Sequence, residues 1–260
     1  MRVEVVVSFR LTEDEAAQLN PLLPPVMPGV SFREGGWQVR FHHAPEVVKS
    51  FARALVEVDV GFDVREERLF KSEEIERAPA LKLHEAPVVP VLRSHDNGSC
   101  SHRGRADEKS PNLRLAVDGG FRFAKTPAGD LVVDEAVAAA MIREHVEGCL
   151  LRPVEGTDGR DSRYFEVVPV HRLPPMHSPP TRFARHPEGA CPECGQGGVD
   201  LVSPAFYDCK LEALADVNAT FETLGGGDGS APGVLVSQKL WRILRDEGVE
   251  EIAVEPVLFV

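Results

Sequence analysis

The sequence predicts an α+β chain in two parts, a small domain over residues 1–90 and a larger one over 91–260, and three observations predict it. Residues 3–65 run strand, helix, strand, strand, helix, strand. The segment Leu131–Val154 aligns without a gap on Val234–Val257, 103 residues further on. Between these two segments lies Cys191-Pro192-Glu193-Cys194-Gly195, where two cysteines three apart on a glycine-closed turn can put both thiolates on one metal ion. The first order is that of the split βαβ arrangement, so a ferredoxin-like βαββαβ domain is expected, followed by a duplicated strand-helix-strand domain carrying a zinc-ribbon-like knuckle.

In the first part, Val3–Arg10 alternates and is rich in valine, which suits a half-buried strand. Thr12-Glu13-Asp14-Glu15 is a capping box, in which a hydroxyl and a carboxylate satisfy two free amides at a helix start. Val30–Arg33 and Trp37–His42 flank Glu34-Gly35-Gly36 and read as a hairpin. From Pro45 onward Val47, Val48, Phe51, Ala52, Leu55 and Val56 recur at helical spacing, and a strand is expected over Val58–Arg65. Glu73–Ala78 suits a short helix, and the polar run beginning at Ser94 places a boundary near residue 90.

In the second part, Leu113–Val117 and Gly120–Phe123 are strand candidates. The aligned segments share Val133/Val236, Glu144/Glu247, Val146/Val249, Glu147/Glu250, Pro153/Pro256 and Val154/Val257, against roughly one or two identities expected by chance. Each opens on a β-branched strand and a helix N-cap, Asp134 or Ser237. The buried stripe is expected to be Val137, Ala138, Met141 and Ile142 in the first helix and Leu240, Trp241, Ile243 and Leu244 in the second. Gly248 suits a left-handed helix stop, and His145 stands at the matching place. A closing strand follows at Cys149–Arg152 or Ile252–Glu255, and Tyr164–Val170 is a further strand. His171–Glu188 is rich in proline and reads as irregular, while Gly225-Gly226-Gly227-Asp228-Gly229 reads as a flexible connection that lacks the lysine of a P-loop.

Composition narrows the function. No apolar run approaches the ~20 residues of a membrane helix, and the N-terminus enters a strand without a secretory signal, so a cytoplasmic protein is expected. Forty-one acidic against twenty-nine basic residues give a net charge of −12, which repels phosphate backbones and attracts basic partners. Five cysteines, an odd number, argue against a disulfide framework and for reduced thiols or a metal.

Cys191 and Cys194 supply half of a tetrahedral zinc site. Cys100-Ser101-His102-Arg103-Gly104 has the frame of a second knuckle in which Arg103 replaces the second cysteine, so a zinc site of Cys100, His102, Cys191 and Cys194 is expected, with His95, His186 and Cys209 as alternative ligands. Thiol-rich ligation favours a structural metal over a catalytic one. Cys149 aligns with Ile252 and reads as a core thiol. No HExxH spacing or nucleophile elbow organises the histidines, so no enzyme is expected.

Taken together, the aligned segments, the CPECG knuckle and the partial Cys100-Ser101-His102-Arg103-Gly104 resemble the bacterial double-CxxCG motif family, some members of which are immunity proteins paired with polymorphic toxins. The ending from Val234 through Glu255-Pro256-Val257 is also similar to another large bacterial immunity family built on comparable repeats. The resemblance covers about 160 residues, from the region of Cys100 to the end. It implies a noncatalytic antitoxin that binds a cognate toxin, basic if that toxin is a nuclease. The other reading is a zinc-ribbon-like regulatory or nucleic-acid-associated module, with Arg182, Arg185 and His186 near the knuckle and Arg103 and Arg105 across it as a local basic face.

Overall fold

The computed structural model describes residues 2–10, 30–33, 36–42, 45–92, 113–116, 119–178, 180–192, 194–208, 213–227, 230–250 and 252–259. The chain is mixed α+β, mostly strand with few helices, in two compact units over residues 1–71 and 72–260. Among the described residues no helix is long and apolar enough to cross a membrane.

The first unit contains β1 (Arg2–Phe9), β2 (Val30–Arg33), β3 (Gly36–His42), α1 (Pro45–Glu57) and β4 (Phe62–Leu69). Its antiparallel sheet has the order β2-β3-β1-β4. Helical spacing puts Phe51, Ala54 and Leu55 of α1 on Val7, Phe9, Val39 and Phe41 of the sheet, where the Phe51 ring meets Phe9 and Phe41 at 5.5 and 5.4 Å. Val56 falls outside the stripe and is 65% exposed. The helix closes through Val60 N–H on Leu55 O, with Asp59 at φ +56°, and this turn delays the next strand to Phe62. The helix expected from the Thr12 capping box lies outside the described residues.

The second unit begins with α2 (Ser72–Arg77) and continues through β5 (Ala80–Glu85), β6 (Val91–Leu92), β7 (Arg114–Leu115), β8 (Phe123–Lys125), β9 (Leu131–Asp134), α3 (Glu135–Arg143), β10 (Cys149–Glu155) and β11 (Asp161–Pro169). It ends with β12 (Phe183–Ala190), β13 (Gly197–Leu201), β14 (Phe206–Tyr207), β15 (Val217–Leu224), β16 (Ala231–Ser237), α4 (Gln238–Asp246), β17 (Ala253–Pro256) and β18 (Leu258–Phe259). One sheet has the order β6-β7-β10-β11-β9-β8 and another β15-β16-β5-β17. The units divide between Lys71 and Ser72, earlier than residue 90, because β5 is bonded into the larger unit, with Leu81 opposite both Val236 and Pro256.

The two strand-helix-strand segments hold matching places in these sheets. In the first, β11 lies between β9 and β10, antiparallel to both; in the second, β5 lies in the same way between β16 and β17. The registers agree over the central residues, with shifts between Pro153 and Glu155 in the first segment and between Ala253 and Val254 in the second. Phe165 faces Val133 and Pro153, as Leu81 faces Val236 and Pro256. On the outer side β8 pairs with β9 as β15 pairs with β16, Phe123 facing Val133 and Val217 facing Val236. The chain leaving each central strand then crosses to the other half. Ala219 N–H donates to His171 O, and Lys125 N–H donates to Pro87 O at the corresponding place.

Local chemistry sets both helices alike. Val137 N–H donates to Asp134 Oδ1 at 2.9 Å and Leu240 N–H to Ser237 Oγ at 3.2 Å. His145 and Gly248 end them at φ +51° and +73°. Val137, Ala138, Ala140 and Met141 of α3 are buried with Leu240, Ile243 and Leu244 of α4 in one shared core, Trp241 packing at its edge. Ile142, expected in the stripe, is 65% exposed, and Ala140 takes the inward position instead. The opposite face of each sheet has its own core. Val89, Val132, Val154 and Tyr164 fill one, and the corresponding Leu173, Leu235, Val257 and Ala80 help fill the other.

Candidate functional site

A cleft of about 270 Å³ opens where β9 and β11 meet β15 and β16. Its apolar walls come from Leu131, Val167, Pro169, Ala219, Pro232 and Val234, of which Leu131 and Val234 are matching residues of the two segments. One difference in side-chain size between the halves falls on the cleft wall. Ala219 faces Val234 as Lys125 faces Leu131. Lys125 sends its Nζ to Leu83 O at 3.2 Å, and the residue in β11 that corresponds to Leu83 is Val167. The methyl group of Ala219 leaves open the space that a butylammonium chain spans in the other half.

Polar groups around the cleft are held by the fold. Glu166 is bonded to Arg152 at 3.1 Å, and Thr126 Oγ1 donates to the Asp130 carboxylate at 2.7 Å. Arg172 donates to Phe221 O at 2.6 Å with its guanidinium 5.1 Å from that ring's centroid, a cation–π contact. Next to it, the fully buried Asn218 donates from Nδ2 to Ala215 O and accepts on Oδ1 from Ala215 N–H. These bonds fix the amide, so His171 Nδ1, 2.7 Å from Asn218 Oδ1, is the donor of that pair.

Asp216 joins the two halves at the helix ends. Its carboxylate accepts from Ser237 Oγ at 2.6 Å and from Glu147 N–H and Lys239 Nζ at 3.0 Å each. Burial pushes its pKa up, but the hydrogen bonds and the lysine charge outweigh burial and hold it below the ordinary carboxylate value. Nearby Cys149 packs half-buried against the shared core, and burial, followed by the charge of Asp216, pushes its thiol up to about 11. A thiol so protonated is a core group, as its alignment with Ile252 predicts.

The knuckle sits at the tip of the antiparallel β12–β13 pair. Cys191 N–H donates to Gln196 O and Gly195 N–H to Cys191 O, both at 2.8 Å, with Gly195 at φ +71°. Cys191 is buried and Cys194 half-buried on the same tight turn. Cys100 and His102 lie outside the described residues, as do His95 and Cys209. His186 Nδ1 accepts from Glu188 N–H at 3.2 Å, and its ring packs over Gly226, where a Cβ would meet Nδ1 at 2.0 Å. Among the described residues no three His, Cys, Asp or Glu side chains converge as a metal-binding group. The donor chemistry of Cys191 and Cys194 fits one half of a zinc site.

Two expectations for this region change. The irregular run expected over His171–Glu188 includes the start of β12, which pairs Phe183 with Leu201. The glycine run is docked where it is described: Gly225 N–H donates to Val199 O at 2.8 Å and Gly198 N–H to Gly225 O at 2.7 Å. Sequence reasoning missed Ala219 and Asn218, because a strand through Val217–Leu224 is interrupted by polar residues and the size contrast with Lys125 becomes visible only with the register.

No family model matches the chain, and no curated protein matches it.

Proposed function

We propose that the protein is a noncatalytic immunity protein that binds a cognate toxin in the cytoplasm and covers its active site. The observation that carries this reading is the apolar cleft opening to solvent beside Val170 and Phe221, which are 58% and 50% exposed. A concave apolar pocket rimmed by fixed polar groups is how an interface seats its few energetic anchors. The net charge of −12 favours encounter with a basic toxin. The resemblance to the double-CxxCG family points the same way. The test is co-production with the toxin encoded beside this protein, together with a binding measurement on the purified pair. Rescue of growth and a stoichiometric complex are expected; a toxin that neither binds nor loses toxicity overturns the proposal.

In this reading the second unit is a duplicated strand-helix-strand scaffold, supported by the matched registers. The first is a ferredoxin-like domain, supported by its antiparallel β2-β3-β1-β4 order. Cys100, His102, Cys191 and Cys194 would hold a structural zinc, which when bound acts as a crosslink between chain segments. Metal content of the native protein and of Cys191→Ser checks this: one zinc per chain, lost in the variant, is expected, and no zinc in the native protein overturns it.

A second reading, a zinc-ribbon-like nucleic-acid-associated module, draws on the exposure of Arg182, Phe183 and Arg185 along and beside β12. It requires salt-sensitive binding to a defined nucleic acid, and no binding at low salt removes it.

A further inference from the structure

We infer that the cleft at Ala219 is a lysine socket, which takes the side chain of a lysine presented by a protein partner. The inference rests on the partner-binding reading above and names the chemistry of its anchor. It comes from the other half of the same unit. There the matching position is Lys125, whose four-carbon stem crosses the corresponding space and whose ammonium donates to the Leu83 carbonyl at 3.2 Å. Ala219 leaves that path open on the cleft side, lined by Leu131, Val167 and Val234. The acceptor corresponding to Leu83 O is Val167 O, and a carbonyl already in a sheet ladder retains a second lone pair.

The surroundings favour an ammonium with an aliphatic stem over a wholly apolar group. Asp130 lines the cleft and supplies negative charge, although it already has a partner, while the Glu166 carboxylate beside it is paired with Arg152. Among the described lining residues the cation, Arg172, is drawn to the Phe221 carbonyl and ring. A lysine buries its methylenes on apolar walls while its charged end finds oxygen, which is the arrangement Lys125 already adopts. An anionic or phosphate-bearing ligand would meet the Asp130 carboxylate and is disfavoured.

The probe is Nα-acetyl-lysine methylamide, titrated into the full chain with amide chemical shifts as the readout and the norleucine analogue as the uncharged control. Saturable shifts centred on Val167, Val168 and Ala219 are expected, at least fivefold weaker in affinity for norleucine. Ala219→Lys, which places the protein's own ammonium in the space, should abolish them at an unchanged melting temperature. Ala219→Leu fills the same space without charge and serves where the lysine variant fails to fold; it too should abolish binding. Absence of saturable shifts, equal affinity for norleucine, or shifts that persist in a folded filled variant overturns the inference. Failure of the neighbouring toxin to bind would remove the immunity reading while leaving this probe result intact.

Discussion

Arg152 and Glu255 hold the same place in the two strand-helix-strand segments and carry opposite charge. Arg152 bonds Glu166 on β11 at 3.1 Å, and Glu255 faces Lys82 on β5 at 3.9 Å, with all four side chains less than 20% exposed. Each sheet thus crosslinks its central strand through a partly buried ion pair, written in one direction in the first half and reversed in the second. Breaking either pair leaves a charge without its counterpart, which costs about 3–5 kcal/mol in buried settings. Arg152→Glu alone should therefore be strongly destabilising in urea unfolding. The double variant Arg152→Glu, Glu166→Lys reproduces the order found in the other half and should recover most of the loss.

The helix stops differ in one residue and should differ in strain. His145 adopts φ +51°, which glycine tolerates and a side chain with a Cβ does not favour. His145→Gly keeps the backbone carbonyl that accepts from Lys239 Nζ at 2.8 Å, and it should raise stability by about 1 kcal/mol. Gly248→Ala should lower it by about as much. Thermal melts of both variants check the pair.

Asp216 predicts an acid-side loss of stability. Its pKa in the folded state lies below the ordinary carboxylate value of 3.8, so the unfolded chain binds the proton more readily. The stabilisation is present above that value and is lost as the pH falls through it toward the lower folded value. Asp216→Asn should flatten the decline of unfolding free energy in this acid window. At pH 7 it should cost about 1–3 kcal/mol through weakened charge-assisted bonds to Ser237, Glu147 and Lys239.

Cys149 should be slow toward alkylating reagents in the native protein. With its thiol raised to about 11, little thiolate exists at pH 8, and the side chain is partly buried. Time-resolved mass spectrometry should show modification at Cys149 accelerating at least tenfold on unfolding. Rapid native labelling at pH 8 would overturn the assignment as a core thiol.

Gly226 should be intolerant of a side chain. A Cβ there would meet the His186 ring at 2.0 Å, so Gly226→Ala must displace that ring from its packing over the glycine run. A lowered melting temperature is expected, with partial recovery when His186→Ala is added.

What could be read beforehand follows a physical division. Asp134 and Ser237 as caps, and His145 and Gly248 as stops, are decided within a few residues of chain, so they were legible. The inward turn of Ala140 and the exposure of Ile142 and Val56 depend on what each helix packs against. The Lys125–Ala219 contrast was hidden because it depends on two registers far apart in the chain. β5 escaped for the same reason: Ala80–Glu85 has no strand neighbour close in sequence, and the segments that flank it, β16 and β17, lie at the other end of the chain. The cysteine knuckle was legible as a turn, whereas its metal rests on Cys100 and His102, outside the described residues.

The central place of β5 also bears on synthesis. A ribosome delivers Leu81 long before Val236 and Pro256, the residues it will pair with. The β9-α3-β10-β11 half can close as soon as it emerges, while β5 remains an unsatisfied strand beside it. The nascent protein therefore carries β5 without its partner strands for most of its translation, and its yield should depend on how well chaperones shield Leu81 and Leu83 until the last strand is made.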